Sequence, residues 1–435
     1  MKILHYTLGF PPHRSGGLVK YAVDLMEEQY RQGHEVHALY PGRINPLIKK
    51  TFIRPIKFMT FKKYEIINSL PLAIFGGIRN PEDFMKEVPV QLYIQFLKSI
   101  NPDVIHIHTL MGIHKEFFKA AKELDILLVY TSHDYFGLAP EPTFFYNGIS
   151  YDHQNTIENW IRASEDAMST SKLRIFQARL YPLMRRGAKY ITKTSKSLEE
   201  PDKKIKNKDD ILIDGQTKKR YSKLKRYYKE IFTLINKFHF NSNLAKEIFI
   251  RNIELDIFGK VISITNSNIH SKLSVTKKTP NKKIRLVFIG PDKEYKGFFE
   301  FLTLSKKLSS QKYEFHTYGY EPREYLNNIT QHGKYKSTEL TRIYQNVDIL
   351  IVPSVWKETF GLIVIEALSY RTPVLVSNNV GAKDLVPNAY IFSSNEELTD
   401  MFEHRLPHIE DYDFEMKNMV LHQKELKSFY NEVEY

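Results

Sequence analysis

Two series of short apolar runs, alternating with amphipathic helical stretches, most restrict the fold of this chain. The first series opens with the strand KILHYTL and a helix whose apolar residues recur every three to four positions from Leu18 to Met26. Gly33 ends that helix and EVHALY is the next strand. The pattern then recurs as NPDVIHIHT, a helix to about Leu124 and DILLVYTS. This alternation predicts a parallel, doubly wound α/β sheet.

A second series begins with IRLVFIG and continues with a helix from Gly297 to about Leu308, YEFHTYG, DILIVPS, a helix after Gly361 and PVLVS. A chain of 435 residues is too long for one core, so we expect two domains. The predicted organisation is a first Rossmann-like domain at 1–265 with a basic helical insertion at about 155–250, a linker at 266–283, a second Rossmann-like domain at 284–410, and a C-terminal helix at 411–435 that returns to the first domain. Ligands bind beyond the carboxyl ends of parallel strands, which predicts a site in the cleft between the domains.

The formal net charge of +13 is confined to one segment. Residues 171–240 contain 20 Lys and Arg against 7 Asp and Glu, which accounts for the whole excess. Within this segment SKLRIFQARLYPLMRR and KRYSKLKRYYKEIFTLINKF are typical of helices, and LEEPDKKIKNKDD is typical of a mobile loop. The segment suits an anionic membrane surface, an anionic polymer or nucleic acid, or it is a solvated insertion. Nucleic acid would need aromatic platforms such as Tyr221, Tyr227 and Tyr228, and we do not expect it as the partner.

Cysteine is missing from the sequence, which excludes disulfides, thiolate nucleophiles and cysteine metal sites. No stretch approaches the roughly eighteen apolar residues that a membrane-spanning helix needs, and the N-terminus lacks the pattern of a secretory signal. We therefore expect a cytoplasmic protein that is not integral to the membrane.

Two carboxylates lie in the otherwise apolar stretch KETFGLIVIEAL. Glu358 is on the loop that follows the strand DILIVPS, and we expect it to point into the cleft. The amides of Phe360, Gly361 and Leu362 begin the next helix, and Glu366 lies on its first turns. The arrangement suits a sugar nucleotide, with amides for phosphate and sugar oxygens, one carboxylate for sugar hydroxyls and the other for ribose. The alternative is a pair of exposed carboxylates favoured by the helix dipole.

Three further loops carry suitable residues. Gly16 and Gly17 begin a helix, where backbone N–H groups can approach a phosphate or a sugar, or they serve only as turn residues. His133 follows a strand and can hydrogen-bond a substrate hydroxyl or the leaving phosphate. A histidine side chain usually titrates near neutral pH. The alternative is that His133 only hydrogen-bonds a neighbouring backbone group. Lys296 stands at a helix start and can neutralise a diphosphate, or it is a surface lysine.

Several motifs in order resemble one known family. PSVWKETFGLIVIEAL is similar to the motif of the retaining, family 4 type glycosyltransferases, in which seven residues separate two glutamates. DVIHIHT, HDY, the Lys-Gly pair at 296 and 297, GKYKSTELTRIYQNVDILIVPS and TPVLVSNNVGAKDLV extend the likeness over most of the chain. The resemblance implies the GT-B fold, two Rossmann-like domains facing a cleft, and transfer of a sugar from a nucleoside diphosphate to an acceptor hydroxyl with retention.

The resemblance also implies residue roles. Glu358 and the amides of 360–362 would hold the donor sugar and phosphate, Glu366 the ribose, Lys296 the diphosphate, and His133 the region of the reacting sugar. No metal or other cofactor is required, because lysine and helix dipoles can stabilise the leaving diphosphate. We also expect that at most one of His106 and His108 faces a given site, and we predict no metal there.

The expected acceptor is lipid-linked or a growing polysaccharide, with the basic segment touching the inner face of the cell membrane. Two departures from the family pattern keep alternatives open. Pro291 stands where many relatives have Arg after a glycine, and Arg371 stands where Gly is usual. The alternatives are a sugar-nucleotide epimerase of the same fold and a non-catalytic partner subunit of a transferase.

Overall fold

The computed structural model describes most of the chain, in the following residues: 1–45, 47, 48, 50–56, 60–73, 76–177, 213–269, 283–324, 326, 328–404, 406 and 416–432. None of the helices within these residues combines the length and hydrophobicity needed to cross a membrane. The predicted mobile loop at 198–210, most of the predicted linker at 266–283 and part of the basic segment lie outside the described residues.

The first Rossmann-like unit is built on an eight-stranded sheet in the order β10-β9-β6-β5-β1-β2-β4-β3. Only the β3–β4 pair at one edge is antiparallel, and the other pairs of this sheet are parallel. The strands are β1 Lys2–Tyr6, β2 Glu35–Pro41, β3 Phe52–Ile56, β4 Lys62–Ile67, β5 Val104–Ile107, β6 Leu127–Thr131, β9 Lys237–Phe240 and β10 Gly259–Val261. A separate hairpin consists of β7 Phe145–Tyr146 and β8 Ile149–Ser150.

Helices surround this sheet because their apolar faces pack against it. They are α1 Gly17–Arg31, α2 Val90–Ile100, α3 Lys115–Glu123, α4 Ile157–Ala163, α5 Thr170–Gln177, α6 Gly215–Phe232 and α7 Asn243–Ile253. The central strand β5 is buried at all four positions, as expected for a parallel strand covered on both faces.

The second unit is a six-stranded parallel sheet in the order β13-β12-β11-β14-β15-β16. Its strands are β11 Ile284–Ile289, β12 Tyr313–Tyr318, β13 Thr330–Gln331, β14 Ile349–Val352, β15 Val374–Ser377 and β16 Ile391–Phe392. Its helices are α8 Phe298–Lys307, α9 Leu340–Tyr344, α10 Leu362–Ser369 and α11 Asn395–His404. The α/β class and the alternation predicted from the sequence are confirmed by these two sheets.

The last helix, α12 Met419–Asn431, packs on the first unit. Its His422 Nε2 lies 2.7 Å from the hydroxyl of Tyr21, and its Gln423 amide lies 2.9 Å from His34 Nε2. Its Tyr430 hydroxyl lies 3.3 Å from the amide nitrogen of Gln29. After forming the second unit, the chain therefore returns to the first unit, where its last helix packs beside α1.

Two expectations about the first unit are wrong, and the tyrosines considered for nucleic acid are buried. The helix predicted to run through 219–238 ends at Phe232, and β9 follows it. No Gly or Pro marks this boundary, and the strand residues continue an apolar run. His106 and His108 lie on the same side of their strand with ring centroids 4.4 Å apart, because residues i and i+2 share a face. The tyrosines at 221, 227 and 228 are 2–6% exposed and pack inward from α6, so they are not platforms for bases.

Candidate functional site in the cleft between the two sheets

The carboxyl ends of the parallel strands in the two sheets face each other across a cleft that contains a cavity of about 330 Å³. Seven residues predicted for the site line this cavity, namely Gly17, His133, Lys296, Glu358, Phe360, Gly361 and Leu362. Two others, Gly16 and Glu366, are not among its lining residues. The structure thus brings residues from four separate loops to one place.

Glu358 is fixed at both carboxylate oxygens. Its Oε1 lies 2.6 Å from the ammonium nitrogen of Lys296, and its Oε2 accepts a 2.8 Å hydrogen bond from the hydroxyl of Ser354. Its backbone N–H donates to the Asn379 carbonyl at 2.8 Å, and its carbonyl accepts from the N–H of Gly381 at 2.9 Å. The carboxylate therefore has one orientation in the cleft, and that orientation is held from the second sheet.

Lys296 reaches Glu358 from the loop that follows β11. Its ammonium also lies 5.1 Å from the centre of the Trp356 ring, within the range of a cation–π contact. The next residue, Gly297, has a φ of 76°, and a Cβ there would lie 1.7 Å from the Pro353 carbonyl oxygen. Only glycine fits this turn, which presses the Lys296 loop against the end of β14.

The N-terminus of α10 forms the wall beside Glu358. Its cap residue, Gly361, has a φ of 96°, and a Cβ there would lie 2.7 Å from the Val380 side chain. The first N–H groups of a helix have no acceptor within the helix and carry its positive dipole end, so this wall favours an anion. Gly17 stands on the opposite wall, where an added Cβ would lie 3.4 Å from the side chain of Leu362.

Glu366 lies one turn further along α10, beyond the cavity lining. The hydroxyl of Tyr344 donates a 3.0 Å hydrogen bond to its Oε1. Burial raises the pKa of Glu366 to about 7, while the Tyr344 hydrogen bond and the ammonium of Lys20 act in the opposite direction. This carboxyl group is therefore divided between its neutral and charged forms at neutral pH.

His133 borders the cavity from the first unit. Its Nε2 lies 3.2 Å from Nδ1 of His108, and its Nδ1 lies 3.5 Å from the amide nitrogen of Asn241. Burial lowers the pKa of His133 to about 3, with the nearby His239 as a smaller cause. The expectation that His133 responds to pH near neutrality is therefore wrong, and its ring is neutral in the ligand-free site.

Four polar residues in or beside the site, Thr359, Ser242, Asn241 and Ser354, were not predicted. Thr359 donates from Oγ1 to the carbonyl of His133 at 3.0 Å, and its own carbonyl accepts from the hydroxyl of Ser242 at 2.7 Å. Asn241 lines the cavity, and Ser354 orients Glu358. Ser354 and Thr359 stand within the motif that contains Glu358. Asn241 and Ser242 follow β9, the strand that was merged into a helix.

A group of three buried histidines, His5, His106 and His108, has ring nitrogens within 4.8 Å of one another, a separation that a metal ion could bridge. Their rings stack on one another at interplanar angles of 12–29°. Each of their ring nitrogens has another hydrogen-bond partner. These hydrogen bonds occupy the ring nitrogens that a metal ion would need.

Two glycosyltransferase family models match this chain. The model described as Glycosyltransferase Family 4 matches residues 15–177, and the model described as Glycosyl transferases group 1 matches residues 271–404. The first match covers the loops of Gly16, Gly17 and His133, and the second covers Lys296 and the motif with the two glutamates.

Two proteins from Klebsiella pneumoniae are similar in sequence. An uncharacterized 42.6 kDa protein in cps region is 22% identical over 417 residues, which are 92% of this chain and 91% of that protein. An uncharacterized 41.2 kDa protein in cps region is 28% identical over 110 residues, which are 24% of this chain and only 30% of that protein.

Solved structures share the whole architecture. A glycosyltransferase from Rickettsia africae aligns with a TM-score of 0.56 at 13% identity, covering 99% of this chain and 98% of that one. Anabaena Alr3699/HepE in complex with UDP and glucose aligns with a TM-score of 0.54 at 13% identity, covering 100% of both chains. At such identity the likeness concerns the fold alone, and it confirms the two-domain GT-B fold.

The raised pKa of Glu366 predicts a pH-dependent stability. The folded protein keeps the proton up to about pH 7, whereas an unfolded Glu loses it near 4.5. The contribution of protonated Glu366 to the stability of the folded protein is therefore complete below the pKa of the unfolded state, and it is lost as the pH rises through 7. Urea denaturation measures the difference in the free energy of unfolding between the Glu366→Gln variant and wild type. As the pH rises from 5 to 8, this difference should change by roughly 2–3 kcal/mol in favour of the variant.

The matched control for this measurement is Glu123→Gln, at an exposed position of α3. Parallel stability profiles for wild type and Glu366→Gln across this pH range would show that Glu366 is already charged at pH 5.

Proposed function

Because the chain is a glycosyltransferase of the GT-B type, we propose that it transfers a sugar from a nucleoside-diphosphate sugar to an acceptor hydroxyl with retention of the anomeric configuration. The observation that carries this proposal is the placement of Glu358. Its carboxylate is held by Lys296 and Ser354 beside the N-terminus of α10, in the cleft between the two sheets. An anion site and an oriented hydrogen-bond acceptor are thereby adjacent, as a charged sugar donor needs.

In the proposed donor complex the diphosphate lies against the N-terminus of α10 and the ammonium of Lys296. In the ligand-free site Lys296 is bound to Glu358, so the diphosphate must compete with that carboxylate for the lysine. The exchange would leave Glu358 free to accept hydrogen bonds from the sugar hydroxyls. Charge-assisted hydrogen bonds favour both new pairings.

The leaving diphosphate needs stabilisation, which Lys296 and the dipole of α10 can supply without a metal. Pro291 leaves the first position of this loop without a cation, so more of the stabilisation depends on Lys296. We propose that Glu366 accepts hydrogen bonds from the ribose, since its helix leads away from the phosphate wall. The sequence resemblance favours attack by the acceptor hydroxyl on the face of the sugar that the phosphate leaves, assisted by the departing phosphate. His133 borders the region where the sugar would lie.

The acceptor is inferred from sequence relatives and charge. Similarity to proteins in cps regions supports a role in polysaccharide synthesis. We propose a lipid-linked or growing polysaccharide acceptor, brought to the enzyme at an anionic membrane surface. In the described part of the basic segment, α6 contributes one exposed basic face at Lys219, Lys223 and Arg226. Spacings of four and three residues place these three side chains on one side of the helix.

Other basic residues of α6 are bound within the protein. Lys218 lies 2.6 Å from Glu158, Arg220 lies 2.7 Å from Glu82, and Lys229 lies 2.9 Å from Glu254. These paired residues offer a matched control. The lysines at 203, 204, 206 and 208, which belong to the same basic segment, lie outside the described residues.

The Lys296–Glu358 pair predicts opposite effects on binding of the nucleoside diphosphate. Lys296→Ala should weaken it by roughly 1.5–3 kcal/mol, the range for a charged hydrogen bond. Glu358→Gln should retain or increase this affinity, because it removes the competing carboxylate, while turnover falls strongly because a sugar contact is lost. Isothermal titration calorimetry and initial rates measure the two effects.

Pro291→Arg in the Lys296→Ala variant should recover part of the lost affinity, because it restores a cation to the loop. Lys307→Ala, an exposed change on α8, is the control and should leave the affinity unchanged. Wild-type affinity in Lys296→Ala, or loss of nucleoside-diphosphate binding in Glu358→Gln, would contradict the proposed donor placement.

The basic face predicts membrane binding that depends on anionic lipid. Each Lys or Arg near an anionic bilayer contributes about 1 kcal/mol, and salt weakens the attraction. Lys219, Lys223 and Arg226 changed together to Gln should reduce sedimentation with anionic liposomes by at least about tenfold. The paired residues Lys218 and Lys229 changed to Gln should have a smaller effect. Equal binding of wild type to neutral and anionic liposomes, or binding to neither, would exclude this role.

A further inference from the structure

A continuous chain of buried hydrogen bonds runs through the first unit from a backbone carbonyl to His133. Its members, in order, are the Ile262 carbonyl, His239, Thr131, His106, Tyr430, Gln29, His5, His108 and His133. Five of them are histidines, whose two ring nitrogens differ in role when the ring is neutral. The chain therefore has a direction, which can be derived from its fixed end.

The fixed end is the carbonyl of Ile262, which can only accept. Nε2 of His239 lies 2.7 Å from it and so carries the hydrogen. Burial lowers the pKa of His239 to about 4, so its ring is neutral and its Nδ1 must accept. The donor to that Nδ1 is the hydroxyl of Thr131, at 2.9 Å. The oxygen of Thr131 then accepts from Nε2–H of His106, at 2.6 Å.

The next hydrogen bonds of the chain pass through the C-terminal helix, α12. Burial keeps His106 neutral by lowering its pKa well below the usual value, so its Nδ1 accepts from the Tyr430 hydroxyl at 2.7 Å. With its hydrogen committed to His106, the Tyr430 oxygen accepts from the amide nitrogen of Gln29 at 3.3 Å. This orientation of Gln29 directs its carbonyl oxygen at Nε2 of His5, which lies 2.7 Å away and must donate.

The last three histidines complete the chain. Burial lowers the pKa of His5 to about 4, so its Nδ1 accepts from Nε2–H of His108 at 3.0 Å. Burial also lowers the pKa of His108 and keeps its ring neutral, so its Nδ1 accepts from Nε2–H of His133 at 3.2 Å. The single hydrogen of neutral His133 is thus directed into the protein.

We propose that this chain fixes His133 in the Nε2–H tautomer and keeps its Nδ1 as a hydrogen-bond acceptor for a substrate hydroxyl. In this role His108, His5 and Gln29 are positioning residues, and Tyr430 places the C-terminal helix under the same constraint. The amide of Asn241 lies at the outer limit of bonding to Nδ1, at 3.5 Å, so a hydroxyl can displace it. The part that concerns the substrate rests on the proposed function, and the tautomer itself does not.

A second acceptor supports the assignment. Oδ1 of Asn241 is buried and has no hydrogen-bond partner among the described residues. Both Asn241 and His133 line the cavity. A buried acceptor without a donor is costly, so a hydroxyl-rich ligand would satisfy it together with Nδ1 of His133.

Nitrogen-15 NMR of the histidine side chains in the full, ligand-free chain tests the proposal, with the His133 signals assigned by their loss in His133→Asn. The expected wild-type spectrum shows a protonated Nε2 and an unprotonated Nδ1 for His133. His108→Phe keeps a stacked ring but removes the acceptor, so His133 should become a mixture of tautomers or the Nδ1–H form. His108→Asn places an amide oxygen near the lost Nδ1 and should restore the wild-type spectrum.

The catalytic efficiency should depend on the tautomer of His133. We expect kcat/KM to be about tenfold lower in His108→Phe, because one neutral hydrogen bond to the substrate is lost, and to recover in His108→Asn. An Nδ1–H tautomer in wild type, or an unchanged His133 spectrum in a folded His108→Phe protein, would overturn the proposal. Failure of the chain to bind any sugar nucleotide would remove the proposed function and leave the spectrum of His133 as predicted, so the two failures are distinguishable.

Discussion

The two hydrogen bonds of Thr359 hold the site together. Its hydroxyl donates to the carbonyl of His133, and its own carbonyl accepts from the hydroxyl of Ser242. Both partners belong to the first unit, whereas Thr359 follows directly after Glu358 in the second. A further contact across the cleft joins the amide of Asn243 to Asp384 at 2.9 Å. These contacts join the loop of Glu358 to the loop of His133 and so contribute to the shape of the cavity.

The charges in the cleft follow from this closed arrangement. In the ligand-free site a lysine and a glutamate neutralise each other beside a helix N-terminus, so neither charge is buried alone. An anionic ligand can replace the carboxylate at the lysine, since the helix N-terminus already favours negative charge. On the other wall the buried histidines are neutral, and they contribute hydrogen-bond direction in place of charge. The two walls therefore differ in charge, since one carries an ion pair and the other carries neutral rings.

The sequence predicted the architecture, and seven of the predicted site residues line one cavity, because both features depend on local patterns. Strand, glycine and helix follow one another around Glu358, and this order is sufficient to place the carboxylate at the carboxyl edge of a sheet. The strand β9 was missed because no glycine or proline separates it from α6. The pairing of Lys296 with Glu358 was also not predicted, since each residue was assigned to a different part of the ligand.

The hydrogen-bond chain to His133 could not have been derived from the sequence. Its partners lie far apart along the chain, with His106 and Tyr430 separated by 324 residues. Each histidine alone is compatible with a core position, a ligand contact or a metal site. The direction of the chain depends on the single carbonyl of Ile262, whose position is fixed only when β10 pairs with β9. Tertiary structure decides such roles, because one donor or acceptor determines the tautomer of every ring behind it.

In the proposed complex a nucleoside-diphosphate sugar binds between the two sheets at the Glu358 loop. Hydrogen–deuterium exchange of the full chain, with and without a saturating donor chosen from a panel of such sugars, tests it most directly. We expect slower exchange in 290–297, in 354–369 and around His133, because these segments would surround the ligand. Binding with protection confined to other parts of the chain, or no binding of any sugar nucleotide in the panel, would contradict it.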